Sequence, residues 1–286
     1  MPPITAIGTT KAQWGEGPIW HEKRLFWVDI EGHLVIEYNP ADDSERSWNV
    51  GARVGAVVPR GSGGLVIAGA SGFAFLDPES GATSPITDPE ADLPDNRFND
   101  GKCDPAGRFW AGSMHLEKPR QPTAALYRLD RDLEVHAIFA GVTVSNGLAW
   151  NAAADTFFYI DTPTGLIEAF DYDREGGTLA NRRTIADTDG IKGVPDGMAI
   201  DENDNLWVAM CHGGAILCFD SSTGALLERL EFPVTEVTAP AFGGEDLGDL
   251  YVTTGQSSNH AHEPLQGRLL RTRTGVRGVA AFAFWG

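Results

Sequence analysis

Positive charge is scarce in this sequence. Its 286 residues include 22 Lys and Arg against 40 Asp and Glu, which gives a formal net charge of −18 at pH 7. Such a chain repels phosphate backbones and anionic headgroups, so we expect neither nucleic acid nor membrane partners, and no pattern of an obligate protein partner is evident. General acidity also serves solubility, so by itself it indicates no specific metal site.

Cysteine is also rare, with only Cys103, Cys211 and Cys218. An odd number without a CxxC pair does not fit a disulfide framework, and two of the three lie in predicted strands, where buried free thiols are common. This favours a reducing compartment. Residues Met1–Thr5 show neither a basic start nor the beginning of an apolar segment, so the sequence predicts no signal peptide and a cytoplasmic location.

Long apolar runs and helical patterns are missing as well. No run approaches the roughly 20 residues of a membrane helix, and no long stretch shows helical periodicity. The absence of a G-x-S-x-G elbow argues against the serine mechanism of α/β-hydrolases. No P-loop or G-x-G-x-x-G stands between a strand and a helix, which argues against the common nucleotide folds.

Turn residues and a repeat are what the sequence has in quantity. Its 34 Gly and 17 Pro are typical of a globular chain rich in turns. An acidic or amide residue followed by Gly recurs before apolar and aromatic strands, at a spacing of about 40–50 residues that is typical of propeller blades. The repeated segments are Gly17–Asp29, Gly55–Ala68, Gly101–Gly112, Gly147–Asp161, Gly197–Met210 and Ala241–Thr253.

Most segments consist of an apolar strand, a polar turn and an aromatic strand. A third strand follows in several copies, as at Ala215–Phe219, and a weaker fourth strand, as at Ser44–Asn49. Six such sheets around an axis form an all-β, six-bladed β-propeller, and we expect residues 1–286 to form this one domain. Ile4–Gly8 is expected to join the last blade and close the ring. The alternative is a β-sandwich assembly, which explains the strand density but not the repeat period.

One position of the repeat is expected to face the central channel. The innermost strand of each propeller blade starts near one mouth of the channel, so equivalent positions face one another across the axis. Carboxylates crowded there would be poorly solvated, and a divalent cation resolves that. Oxygen donors suit Ca²⁺, Mg²⁺ or Mn²⁺ and tolerate Zn²⁺. The six residues at this position are Glu16, Val54, Asp100, Asn146, Asp196 and Pro240.

Other interpretations of these and nearby residues stay open. A single Asn-Gly or Asp-Gly pair is typical of a hairpin turn, although each pair here precedes its strand and a separate turn follows later. His260 and His262, with Glu263 nearby, resemble a metal pair but lie in a polar loop, where a solvated role is more common. His115 and His212 each follow a predicted strand, and we expect plain loop roles for both.

At these residues the chain resembles the senescence-marker-protein (regucalcin)/gluconolactonase/luciferin-regenerating enzyme family. The resemblance implies a six-bladed propeller with one divalent metal at the channel mouth, held by Glu16, Asn146 and Asp196. The matching phrases run in family order over nearly the whole chain, and together they are highly specific. They are Gly15–Trp20, Arg97–Lys102, Asp104–Arg108, Ser145–Leu148, Pro195–Met198, and Phe242–Gly244 followed by Leu250–Thr253.

The resemblance also implies which residues hold substrate. The family's Arg and Asn in the R-x-N-D phrase correspond to Arg97 and Asn99, and a Glu shortly after the third-blade strand corresponds to Glu117. The chain departs from the family in its last blade, where Leu265–Arg268 stands in place of an Ala-Gly-Gly phrase. We expect that loop on the substrate side, so the resemblance leaves the substrate's identity open while the metal ligands are untouched.

The function implied is metal-dependent hydrolysis of a sugar lactone, of the gluconolactone type, to the aldonic acid. The cation polarises the ester carbonyl and water attacks it. Asp196 is the expected general base. Asp100 is the alternative, because cation binding lowers the basicity of a ligand carboxylate. Two other functions remain open: a metal-dependent esterase or phosphotriesterase on the same site, and a non-catalytic cation-binding propeller.

Overall fold

The computed structural model describes residues 3–286, which fold into six four-stranded antiparallel sheets in a ring. The predicted all-β, six-bladed propeller is confirmed. The first strands are β1 (Thr5–Ile7), β2 (Gly15–His21), β3 (Arg24–Asp29), β4 (Leu34–Asn39), β5 (Ser44–Asn49), β6 (Val54–Pro59), β7 (Leu65–Gly69), β8 (Gly72–Leu76), β9 (Thr83–Thr87), β10 (Asn96–Cys103), β11 (Phe109–His115) and β12 (Ala124–Leu129). They continue as β13 (Val135–Val142), β14 (Ser145–Trp150), β15 (Thr156–Asp161), β16 (Leu166–Asp173), β17 (Thr178–Asp187), β18 (Val194–Ile200), β19 (Leu206–Cys211), β20 (Ala215–Phe219), β21 (Leu226–Glu231), β22 (Val237–Gly243), β23 (Asp249–Thr254) and β24 (Leu269–Arg273).

Two 3₁₀ turns, Thr162–Thr164 and Ser258–His260, are the helical elements of residues 3–286. Within that range, no helix has the length and apolar character needed to cross a bilayer. The interpretation of the first residues as lacking a signal peptide includes Met1 and Pro2, which lie outside the described residues.

The blades follow the chain order, and the ring closes with strands from both ends. Blades one to five are β2–β5, β6–β9, β10–β13, β14–β17 and β18–β21, and blade six combines β22, β23 and β24 with β1. In blade six, Ala6 of β1 pairs with Leu270 of β24, as predicted from Ile4–Gly8. The predicted strands Ser44–Asn49 and Ala215–Phe219 are β5 and β20 with the same bounds.

The first strand of each blade contacts the first strands of both neighbouring blades, so these six strands surround the axis. The apolar core lies between the blades. Trp110 of blade three lies against Trp150 of blade four with 5.7 Å between ring centroids, and Trp207 of blade five meets Phe242 of blade six at the same distance. Packing between blades therefore holds the axis-facing strands in place.

Repeated polar turns lock the aromatic strand onto the first strand of its blade. Asp104 accepts two backbone N–H groups of its own turn and the indole N–H of Trp110 at 2.8 Å. Asp201 does the same in blade five, where the indole N–H of Trp207 lies 3.0 Å from its carboxylate. These bonds fix the pairing register of the two strands. They therefore also fix which side chains lie at the opposite end of the first strand.

Candidate metal and substrate site

Every blade has a one-residue β-bulge near the start of its first strand. A bulge places two residues opposite one, which re-aims the side chains at that point. The repeated acid/amide-Gly phrase of the sequence falls on these bulges. The pairing register shifts between Glu16 and Ile19, Val54 and Ala56, Phe98 and Gly101, Asn146 and Leu148, Pro195 and Met198, and Val237 and Ala239.

The bulge register corrects one sequence assignment. Pro240 pairs with Val252 in the regular ladder beyond the bulge, whereas the residues assigned to this position in the other five blades lie at their bulges. The assignment of Pro240 to the ligand position was wrong, because blade six lacks the phrase that aligns the other copies. At its bulge, blade two has Val54, and blade six has Val237 and Thr238, whose hydroxyl donates to the carbonyl oxygen of Gly15.

Gly147 shows why the phrase needs glycine. Its φ is +39°, and an added Cβ would lie 3.0 Å from the carbonyl oxygen of Asp196. A side chain would strain the backbone and push the two blades apart. The glycine therefore brings the bulge of blade four, which carries Asn146, close to the bulge of blade five.

Two aspartates hold the backbone ahead of the predicted ligands of blades one and four. Asp29, the last residue of β3, accepts the backbone N–H groups of residues 13 and 14, each at 2.9 Å. Asp161, the last residue of β15, accepts those of residues 143 and 144, at 3.1 and 2.9 Å. Hydrogen bonds to a charged group contribute about 1.5–3 kcal/mol each, so both strand starts are firmly placed.

The structure brings six of the seven predicted site residues, all except Glu117, into one buried polar cluster at these bulges. Charge interactions link the carboxyl groups of Glu16, Asp100 and Asp196 with one another, and the Glu16 carboxyl with the Arg97 guanidinium. Each residue of the cluster is 3–8% exposed, so little water is available to compensate charge. The cluster consists of Glu16, Arg97, Asn99, Asp100, Asn146 and Asp196.

A chain of hydrogen bonds fixes the Asn146 amide. Arg97 Nη1 donates to Asn99 Oδ1 at 2.8 Å, and Asn99 Nδ2 donates to Asn146 Oδ1 at 3.0 Å. Asn146 Nδ2 in turn donates to Thr162 Oγ1 at 2.8 Å, and Thr162 Oγ1 donates to the carbonyl oxygen of Pro195. One lone pair of Asn146 Oδ1 remains free for a cation. Thr162 was not identified from the sequence, because its role depends on a contact between blades.

Burial and mutual repulsion disfavour the charged forms of three carboxyl groups. Burial, and then the charges of Asp196 and Asp100, raise the pKa of Glu16 well above its ordinary value. Burial, and then Asp100, raise the pKa of Asp196 to about 8. Burial also raises the pKa of Asp100. A divalent cation compensates such a cluster, and the oxygen donors of Glu16, Asn146 and Asp196 fit a hard cation.

Asp100 has the Lys102 ammonium as its cationic neighbour, and that charge is the largest effect opposing the rise in its pKa. The Lys102 amine donates to the carbonyl oxygen of Met198 inside the channel. Beyond Lys102, at the opposite end of the first strands, lies a cavity of about 80 Å³ lined mainly by apolar side chains such as Trp20 and Phe242. The polar chemistry is therefore confined to the bulge end.

Arg97 has one buried donor that the described chain leaves unused. Burial lowers the pKa of Arg97 to about 10, so the guanidinium stays protonated at neutral pH. Its buried Nε has no hydrogen-bond partner among residues 3–286. An unpaired buried donor carries a desolvation penalty, and a hydroxyl or carboxylate of a ligand would remove it. This agrees with the predicted substrate role of Arg97 beside Asn99.

Glu117 lies apart from the buried cluster. It is exposed, on the loop after β11, and the backbone carbonyl oxygen of Glu117 lies 3.0 Å from His115 Nδ1. Its loop leaves blade three at the end where Arg97 enters, because Asn96 pairs with His115. Within the described chain, no hydrogen bond or ion pair joins the Glu117 carboxylate to the cluster, so its substrate role stays a prediction.

A second group of polar side chains beside Asp196 was missed in the sequence. The Cys211 thiol lies against the Asp196 carboxylate, and His212 Nδ1 is 2.6 Å from Glu236 Oε2. We expected a plain loop role for His212, and the structure instead pairs it with a buried carboxylate. The available signal was positional: Cys211 ends β19 at the place where Asp29 ends β3.

Comparison with known proteins agrees with this geometry. Residues 14–256 match the family model described as SMP-30/Gluconolactonase/LRE-like region. The chain is 40% identical over 291 residues to Regucalcin of Danio rerio, covering 99% of this chain and 98% of the relative. It superposes on a luciferin-regenerating enzyme with a TM-score of 0.91 at 29% identity, covering 99% of each chain. It is also similar to a calcium-binding protein, regucalcin, from Agrobacterium tumefaciens, with a TM-score of 0.91, 25% identity and coverage of 96% and 95%. The chain belongs to the SMP-30/gluconolactonase/LRE-like family.

Proposed function

We propose that the chain hydrolyses a sugar lactone, of the gluconolactone type, to the aldonic acid. The observation that carries the proposal is the buried cluster, in which three carboxyl groups with raised pKa values lie beside the Arg97 donor and the Asn99 amide. The family description names gluconolactonase, and the regucalcin structure is described as calcium-binding, and both support a cation-dependent lactonase.

The residues that would hold the cation are Glu16, Asn146 and Asp196. A divalent cation there supplies Lewis acidity toward an ester carbonyl oxygen. An oxygen-only ligand set favours Ca²⁺, Mg²⁺ or Mn²⁺ and also admits Zn²⁺. Arg97 and Asn99 orient the sugar: the guanidinium donates to a hydroxyl or to the new carboxylate, and the amide both donates and accepts.

Asp196 is our choice for the group that takes the proton of the attacking water. One of its oxygens would hold the cation, which would leave the other to accept the proton. Asp100 is the alternative base, since it is not needed as a ligand and Lys102 keeps its charged form accessible. Burial excludes water from the site, and this strengthens the electrostatic interactions of whichever aspartate acts as the base.

The central test is lactone hydrolysis before and after chelation, followed by acid release at constant pH and corrected for spontaneous ring opening. Five- and six-membered aldonolactones of hexoses and pentoses form the panel. We expect the enzymatic rate to disappear with the metal and to return when a divalent cation is restored. Full activity in a sample shown by elemental analysis to be metal-free would contradict the metal role.

The base is assigned by two matched variants, Asp196→Asn and Asp100→Asn, with metal affinity and turnover measured on the same samples. If Asp196 is the base, Asp196→Asn loses more turnover than metal affinity, and Asp100→Asn keeps most of both. Unchanged turnover in Asp196→Asn moves the role to Asp100.

Two other functions would use the same cluster. A cation and a nearby base do not by themselves select lactones, so aryl esters and organophosphates belong in the panel and would reveal an esterase or phosphotriesterase. A calcium-binding protein without turnover is the other, and it is favoured by the description of the regucalcin structure. Tight Ca²⁺ binding with no hydrolysis of any panel member would favour that function over a lactonase.

A further inference from the structure

Cys211, His212 and Glu236 form a compact group of metal-capable side chains that the proposed hydrolysis does not use. Cys211 ends β19 in blade five, His212 follows it, and Glu236 directly precedes β22 in blade six. One ligand atom from each lies within 4.8 Å of the others. Among residues 3–286, no other three side chains of the His, Cys, Asp or Glu type bring their ligand atoms this close together.

We propose that this group is a second cation site, next to the oxygen cluster on the Asp196 side and suited to a thiophilic divalent ion such as Zn²⁺. A thiol, an imidazole and a carboxylate are the ligands that zinc prefers, whereas Ca²⁺ and Mg²⁺ require oxygen. The ligand sets at Cys211 and at Glu16 therefore select different ions, so both sites can be loaded and measured separately.

The distance between the Cys211 sulfur and the Glu236 carboxylate agrees with tetrahedral coordination. With zinc–sulfur and zinc–oxygen bonds of about 2.3 and 2.1 Å, a tetrahedron separates the two ligand atoms by about 3.6 Å. Cys211 Sγ lies 3.7 Å from Glu236 Oε2. His212 Nδ1 is closer to the same oxygen, at 2.6 Å, because the two are hydrogen-bonded, and a small rotation of the exposed imidazole would open the space for an ion.

His260 lies beside the site, next to the second carboxylate oxygen of Glu236. Its Nε2 lies 4.0 Å from Glu236 Oε1, and its Nδ1 lies 3.8 Å from Glu263 Oε1. Glu263 is itself held by the backbone N–H and the hydroxyl of Thr235, at 2.8 and 2.6 Å. A carboxylate behind a histidine ligand is the usual support for its orientation. The His260 imidazole, for which a solvated loop role was expected, thus lies between Glu236 and Glu263.

The charge balance of the site and its access to solvent also suit a bound cation. Cys211 and Glu236 are each 3% exposed, and on metal capture the thiol proton passes to solvent. A thiolate and a carboxylate then neutralise the two charges of Zn²⁺, so no net charge is buried. The His212 side chain is 60% exposed and leaves a path for entry. The bound ion would tie blade five to blade six and to the 3₁₀ turn Ser258–His260.

Cobalt titration of the full chain tests the proposal independently of lactone turnover. The protein is first saturated with Ca²⁺, and Co²⁺ alone is then added while the visible and near-ultraviolet spectrum is recorded. We expect a sulfur-to-cobalt charge-transfer band and the intense d–d bands of tetrahedral cobalt, both saturating at one ion per chain. Excess Zn²⁺ should remove both.

Each variant is compared with a control substitution at another residue of the same amino-acid type. Cys211→Ser should abolish the charge-transfer band, and Cys218→Ser, a buried thiol of β20 outside the group, should keep it. His212→Ala removes an exposed imidazole, so the fold tolerates it, and it should weaken Co²⁺ binding on the order of 100-fold. His262→Ala should leave binding unchanged.

A charge-transfer band that survives in Cys211→Ser, or Co²⁺ binding that is equal in His212→Ala and wild type, would overturn the second site. So would the absence of any sulfur band in the calcium-loaded wild-type protein. Because none of these readouts involves hydrolysis, loss of the proposed lactonase function would leave the result intact.

Discussion

Blades one and four use the end of their second strand differently from blade five. Asp29 and Asp161 pair with the first residues of β2 and β14, and the carboxylate of each accepts hydrogen bonds from two backbone N–H groups. Cys211 pairs with the first residue of β18 at the same place, and its thiol faces side chains instead.

The difference shows how one repeat serves two purposes. In blades one and four, the carboxylate anchors a strand whose bulge then presents Glu16 or Asn146. In blade five, the thiol leaves room for Glu236 and His212 to approach, and Asp196 gains a neighbour rather than a fixed backbone. Equivalent positions thus support the proposed first cation site in blades one and four and form the proposed second site in blade five.

The largest effect is expected from removing a ligand carried by an anchored blade. Glu16→Gln removes a charged oxygen ligand, and we expect kcat/KM for the lactone to fall about 10³-fold, since a cation supplies several kcal/mol to the transition state. Steady-state kinetics with metal content measured in parallel check this. Glu79→Gln, an exposed turn residue of blade two, is the control and should keep full activity.

Removing the anchors should separate the two kinds of blade. Asp161→Ala leaves two backbone N–H groups without their charged partner, so we expect about 2–3 kcal/mol less stability toward unfolding by urea. Metal affinity should also fall about 10–100-fold, because the strand that presents Asn146 loses its support. Cys211→Ala should cost less stability than Asp161→Ala. Equal losses in the two variants would contradict the comparison.

The pH dependence of metal binding follows from the raised pKa values. Without metal, the fold holds the Asp196 proton up to a pKa of about 8, whereas the unfolded chain releases it near 3.8. Because the folded pKa is raised, the metal-free protein loses stability as pH rises through this window. The cation competes with the protons of both Asp196 and Glu16, so its apparent affinity should rise at least tenfold per pH unit up to about pH 8. Calorimetric titration from pH 5 to about 9 measures it, and a flat affinity would contradict the raised pKa.

The sequence predicted the ring of blades and, through the repeated phrase, the residues that the bulges bring together. These predictions succeeded because a glycine at a bulge and an oxygen donor beside it are local features, which can be recognised in the four copies that carry the phrase. It placed Pro240 wrongly where the phrase was absent. Contacts between blades have no local signature, and therefore Thr162 and the pairing of His212 with Glu236 were missed. The single-domain, cytoplasmic and partner expectations stay predictions.

The smallest effect is expected at the link between blades three and four. Asn99 Nδ2 donates to Asn146 Oδ1, so Asn99→Ala should release the Asn146 amide and weaken metal binding about tenfold. No hydrogen bond of the described chain joins Asn99 to Glu16, so the loss should pass through blade four alone. A double-mutant cycle decides: in an Asn146→Ala background, Asn99→Ala should have no further effect on metal affinity. An undiminished tenfold loss in that background would mean that Asn99 affects the cation by a route other than Asn146. The idea that each anchored blade positions its own ligand independently would then be wrong.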